Sequence, residues 1–217
     1  MTPGTTPSAP LPENGRQPGA VPRPGTEPRV EIRPATGRYE DAAALVGTTA
    51  PSFGACWCQS YRDARLPGRE RADALRDQCS DEPGPGVLVY VDDELAGWCS
   101  VAPRSTYRRL VNSRTIPRLD GPEPWCVVCF VVRTGFRRRG LMHTLLDGAV
   151  EHAAAHGAQV VEGYPAEVAG TRMDTTSAFV GTVELFEAHG FHRAAPTTAH
   201  SGHRERWVMR RELATPA

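Results

Sequence analysis

The stretch from Trp125 to His156, WCVVCFVVRTGFRRRGLMHTLLDGAVEHAAAH, constrains the fold more than any other. Val127 to Val132 is an apolar run broken only by Cys129, and Pro124 and a Gly-containing turn bound it. Such a run of β-prone residues reads as a buried strand. A short loop follows, Arg133 to Arg139, carrying Gly135 and four Arg. Met142, Leu145, Leu146, Ala149, Val150 and Ala153 then recur at helical spacing, with Gly157 as the stop. Strand, basic loop and helix amino-terminus together make a phosphate-binding arrangement. The first N–H groups of a helix lack intrahelical acceptors, and the macrodipole adds partial positive charge. Gly140 keeps that approach free of a β-carbon. There is no GxxxxGK[ST] and no GxGxxG, so neither a P-loop nor a dinucleotide fingerprint is present.

The rest of the chain frames this unit. Residues 1–28 hold eight Pro and four Gly and almost no large apolar side chain, so they read as a disordered tail. The folded domain is expected over 29–213. Val30 to Ile32 alternates as a first strand. Thr36 is placed to cap a helix running through Leu45. Gly54 to Arg62, GACWCQSYR, puts Trp57 and Tyr61 four apart, as on one helix face. Arg65 to Cys79 reads as an amphipathic helix, and Val87–Val91 and Leu95–Val101 as a hairpin turning at Asp92–Glu94. Pro103 to Pro124 is a long Arg-containing connector. Val160 to Tyr164 is a further strand, Thr182 to His189 a short helix, and Phe191 and Arg206–Arg211 mark the last two strands.

Charge and cysteine use narrow the function classes. The 25 basic residues, all Arg, are balanced by 25 acidic ones. Zero net charge and no aromatic–basic stripe argue against a nucleic-acid partner. No apolar run nears the roughly 18 residues needed to span a bilayer. A cytoplasmic protein with six reduced Cys is expected. Cys56-x-Cys58 and Cys126-x-x-Cys129 have metal-clip spacing. However, residues three apart on a strand face opposite ways, so Cys126 and Cys129 meet one metal only if a bulge intervenes. Buried thiols and no metal are therefore expected.

Arg137-Arg-Arg-Gly140 after a Val-ended strand resembles the acyl-CoA signature of the GNAT superfamily of N-acyltransferases, [QR]xxGx[GA]. Met142 replaces the small last residue. The element order β-α-α-β-β-β-α-β-α-β-β matches that family, and Leu185 to Phe191 resembles its short helix ending in Gly-Phe. Cys56-Trp-Cys58, Gly97-Trp-Cys99, Trp125 to Phe130, Arg138 to Gly140, Glu162 to Pro165 and Phe179 to Phe191 resemble one actinobacterial subgroup. The resemblance implies an α/β fold, a splayed mixed sheet flanked by helices. It also implies acetyl-CoA as cosubstrate and an amine of a small molecule or peptide as acceptor, in a monomer or homodimer. The pantetheine arm would pair near Phe130, Val131 and Val132. The diphosphate would sit on the N–H groups of Arg137, Arg138, Arg139, Gly140, Leu141 and Met142.

The reaction needs a base for a protonated amine and a donor for the thioester oxygen. The family's usual acid is a Tyr four residues before the Gly of Gly-Phe, and Phe186 stands there. Glu162 and Tyr164 share a strand face by period two, which makes them the candidate base and acid. A hydrogen-bonded structural carboxylate is the other reading of Glu162. With Phe186 in place of the acid, a non-catalytic acyl-CoA-binding module is the alternative function.

Overall fold

The computed structural model describes residues 27–47, 56–168 and 178–214. The Pro/Gly-rich tail, except for its last two residues, lies outside them. The strands are β1 (Val30–Pro34), β2 (Gly86–Val91), β3 (Glu94–Pro103), β4 (Trp125–Val132), β5 (Val160–Gly163), β6 (His192–Ser201) and β7 (Arg204–Glu212). The helices are α1 (Tyr39–Val46), α2 (Gly68–Ser80), α3 (Arg108–Val111), α4 (Leu141–Ala155) and α5 (Val183–Glu187). No helix among the described residues is long and apolar enough to cross a membrane.

The strands form one sheet in the order β1-β2-β3-β4-β5-β7-β6. Every neighbouring pair is antiparallel except β4 and β5, which are parallel. That parallel pairing covers only Trp125–Val127 against Val161–Gly163. Past Val127 the two strands part, and the sheet opens as a V at its centre. The apolar face of α4 closes one side: Leu145, Leu146, Ala149 and Ala153 are fully buried there. Helices α1 and α2 cover the other side with Ala42, Val46, Leu75 and Cys79. Burying side chains of Leu size contributes about 1.5–3 kcal/mol each. The α4 side is thus held by aliphatic packing across β2, β3 and β4.

Local expectations changed in four places, one being the connector Pro103 to Pro124, which holds α3 and is not irregular throughout. Thr36 does not cap α1. Its hydroxyl accepts the Gly84 N–H at 3.1 Å, while Arg38 occupies the cap position without a side-chain hydrogen bond. Cys56 to Arg62 is a succession of turns, not a helix, with Trp57 at φ 30° and Cys58 at φ 48°. The Trp57 N–H donates to Val46 O at 2.7 Å, tying the turn to the end of α1. Last, β4 is bulged. Val127 pairs with Val101 but Cys129 with Ser100, so Val128 is an extra residue. The alternation flips there: Cys126 and Cys129 pack into the same core as α1 and α2, and Val127 and Phe130 into the core beneath α4. The expectation that Cys126 and Cys129 face opposite ways fails for this reason.

Candidate active site

The β4 edge left open past Val127 and the amino-terminus of α4 enclose a cavity of about 450 Å³. Phe130, Val131 and Val132 form one wall; Arg137, Arg138 and Gly140–Met142 form the other. The segment turns through two left-handed residues, Arg138 at φ 63° and Gly140 at φ 74°. A β-carbon on Gly140 would meet nothing within 4 Å, so this glycine is there for its backbone angle and faces open space. Gly140 is the N-cap of α4, which leaves the N–H groups of Leu141 and Met142 without intrahelical acceptors. Arg139, the ninth residue expected in this group, stacks its guanidinium 5.3 Å from the Phe136 ring centre.

His143 also lines this cavity, and the sequence reading had not singled it out. Its Nδ1 is 2.9 Å from His189 Nε2, and His189 Nδ1 is 2.5 Å from Asp147 Oδ1. Asp147 and His143 are four apart on α4, so they share a face. His189 arrives from the end of α5. The i, i+4 spacing was legible, but the partner 46 residues away was not.

A second cavity, about 280 Å³, lies against the bulge and is lined by Cys56, Cys58, Ser60, Tyr61, Val128 and Cys129. Val131 and Phe179 line both cavities, which therefore adjoin across these two residues. Three thiols converge here: the sulfurs of Cys56, Cys58 and Cys129 all lie within 4.8 Å of one another. Hydrogen bonds from Cys129, then Cys58, hold the Cys56 thiol far below its ordinary range. Cys58 is pulled down by Cys129, but its bond to Cys56 and its burial push it up to about 12. The bonds to Cys56 and Cys58, with burial, raise Cys129.

Glu162 and Tyr164 are brought together, as their spacing implied, but away from both cavities. Each is 1% exposed. The Tyr164 hydroxyl donates to Glu162 Oε2 at 2.9 Å and accepts from Arg104 Nη1 at 2.6 Å, and Cys126 Sγ lies 3.1 Å away. Arg104 and Arg210 approach the Glu162 carboxylate at 3.9 and 3.6 Å. Burial pushes the Glu162 carboxyl up, while Tyr164, Arg104 and Arg210 pull it back. The network ties β5 to the end of β3 and to β7, at the vertex of the V. Phe186 is fully buried with its ring edge-on to Phe130 and Phe191. A β-carbon at Gly163 would come 2.1 Å from that ring, so the ring fills the space beside β5.

The model of the acetyltransferase (GNAT) family matches residues 51–191. The chain belongs to this family. A putative acetyltransferase from Acinetobacter baylyi has a similar fold, with TM-score 0.54 and 13% identity over 88% of this chain and 97% of that one. A GNAT-family acetyltransferase from Streptococcus agalactiae gives 0.51 and 14% over 86% and 96%. A chain of the NatC complex, solved with Gag peptide and CoA, gives 0.50 and 12% over 85% and 99%. No curated protein matches the chain. In this GNAT-family chain the open β4 edge and the basic α4 amino-terminus border the first cavity, and the bulge borders the second.

Proposed function

We propose that this acetyltransferase moves the acetyl group of acetyl-CoA directly to an amine of a small molecule or peptide. The observation that carries the reading is that two cavities adjoin at the opened edge of β4. One has main-chain donors and Arg for a diphosphate, and the other has space for an acceptor. The diphosphate lies on the Arg137–Met142 segment, with Arg137 and Arg138 on the cavity wall. The pantetheine arm takes the pairing that β5 gives up past Val127. The thioester then sits near the bulge, where a main-chain N–H off the regular ladder is free to meet the developing oxyanion. The likeness of Cys56-Trp-Cys58, Gly97-Trp-Cys99 and Glu162 to Pro165 to one actinobacterial subgroup supports a place in that subgroup.

For Glu162, the geometry supports the structural carboxylate over the base. It has two guanidinium neighbours and a Tyr hydroxyl, and it lines neither of the two cavities. Tyr164 is committed to the same network. Together they fix the angle at which β4 and β5 separate. The leaving thiolate takes its proton from solvent at the cavity mouth, because Phe186 offers none.

The test is a thermal melt with acetyl-CoA, longer acyl-CoAs and free CoA, followed by thiol release with a panel of amines. A ligand at 100 times its Kd adds about 2.7 kcal/mol, a shift of a few degrees in a domain of this size. A shift followed by acceptor-dependent thiol release supports the transferase. A shift with no release from any amine supports the alternative, an acyl-CoA-binding module, which the apolar Phe186 permits. No shift with any CoA species removes both.

A further inference from the structure

We propose that Cys56, Cys58 and Cys129 form a three-thiolate site for a divalent d10 metal ion of the zinc class, its fourth coordination position open to the acceptor cavity. All three side chains line that cavity, and their sulfurs lie within 4.8 Å of one another. A zinc–thiolate bond is about 2.3 Å, so tetrahedral sulfurs sit about 3.8 Å apart. The widest pair therefore closes by at most about 1 Å.

Two unrelated backbone features aim the sulfurs at each other. The β4 bulge at Val128 turns Cys129 onto the Cys56 side of the sheet. On the facing loop, Trp57 and Cys58 both take positive φ, which non-glycine residues rarely adopt. The turn is closed by Gln59 N–H donating to Cys56 O at 2.8 Å, and Gln59 is itself held by Gln78. Trp98 Nε1–H donates to Cys58 Sγ at 3.3 Å, the kind of outer contact that orients a ligand and steadies a thiolate. The other three cysteines form no such group. Cys79 packs in α2, Cys99 on the α4 side of the sheet, and Cys126 against Tyr164.

Binding needs no change of oxidation state. Each sulfur that still carries a proton gives it up to solvent, and a sulfur lone pair forms each sulfur–metal bond. Three protein ligands leave one position for water or an acceptor group, where four would close the site. That position faces the cavity that adjoins the acyl-CoA cleft at Val131 and Phe179.

The experiment uses the full chain, purified under reductant and stripped with chelator. Zinc or cadmium ions are returned by equilibrium dialysis, and bound metal is counted by elemental analysis. One ion per chain is expected, with cadmium–thiolate charge-transfer absorption in the ultraviolet. Cys129→Ser should weaken cadmium binding about 100-fold or more, whereas Cys99→Ser should not change it. If Cys129→Ser does not fold by its melt, Cys56→Ser, on the cavity rim, takes its place. Absence of binding, or equal binding by a folded cluster variant, overturns the proposal. So does a parallel preparation without reductant that is two hydrogens lighter and needs reductant to release Cys56, because the cluster is then a disulfide pair. The acetyl-CoA melt of the stripped protein is scored separately, so failure of the metal site and failure of the transferase reading remain distinguishable.

Discussion

On the proposed acyl side of Val131 the cavity is lined mainly by one contiguous stretch, from Phe130 on β4 to His143 in the first turn of α4, and its proposed anion donors are the main-chain N–H groups at the start of α4. On the acceptor side the lining is side chains from three distant segments, Cys56–Tyr61, Val128–Val131 and Phe179. On the proposed reading the acyl side takes the cofactor common to the family, so its chemistry can be delegated to backbone N–H groups, which any sequence provides. The acceptor side has to discriminate, and discrimination takes side chains. This difference gives four expectations, from the largest effect to the smallest.

Gly140→Asp should strike the acyl side alone. The residue is left-handed, which Asp tolerates better than most, and its β-carbon would meet no atom, so the fold should hold to within about 1 kcal/mol. A carboxylate would then stand where phosphate is to sit. Acetyl-CoA affinity should fall about 1,000-fold, about 4 kcal/mol, read as loss of the thermal shift. Normal binding by this variant would mean that the acyl side does not rest on the α4 amino-terminus.

The acyl side also depends on how α4 sits on β4 at its other end. There His152 packs edge-on to Trp125, 5.7 Å between ring centres, with its Nε2 buried and unpaired. Burial, then the neighbouring His156, lowers its pKa from 6.5 to about 4, against a smaller pull from Glu82. The unfolded chain therefore takes a proton near pH 6.5 that the folded chain refuses until about pH 4. Stability should fall as pH drops through that window, by about 3 kcal/mol at most. Denaturant titrations of wild type and His152→Gln at pH 7 and pH 4.5 measure it. Equal slopes with pH would remove the assignment.

The grouping of the first cavity's residues was legible in the sequence because they are contiguous. Trp125 to His156 encodes strand, turn and helix in thirty-two residues, and eight of the nine residues expected at the cofactor line the observed cavity. Apart from the four-residue α3, the element order was legible for a similar reason, since each longer strand and helix carries its own period. The acceptor side was hidden by two local events that periodicity does not reveal. One extra residue at Val128 reversed the facing of Cys129, and two left-handed residues bent Cys56 to Arg62 away from a helix. Glu162 and Tyr164 were rightly placed on one face. Which face it was depended on Arg104 and Arg210, 58 and 48 residues away.

Glu162→Gln bears on the vertex between the two sides. As a brace, the side chain is lost to Arg104 and Arg210 as a charge partner, and stability should drop by about 2 kcal/mol with the pH–rate profile unchanged. As a base, turnover should fall and one ionisation should vanish from the profile at nearly constant stability. Measuring both on one preparation decides between them.

The smallest effect is expected where the acyl side does use a side chain. His143 reaches the cavity wall and is fixed there by His189 and Asp147. If the α4 amino-terminus supplies most of the anion binding, one further imidazole contributes little. It is worth about 1 kcal/mol, typical of a hydrogen bond made in partly exposed surroundings. His143→Ala should then raise the KM for acetyl-CoA about fivefold and leave kcat alone, because the contact is equally present in ground and transition states. Asp147→Asn should give a part of that rise, since it acts only by loosening His189. A fall in kcat with KM unchanged would instead move the His143–His189–Asp147 chain from holding the cofactor to moving a proton. The acyl side would then no longer be a backbone construction.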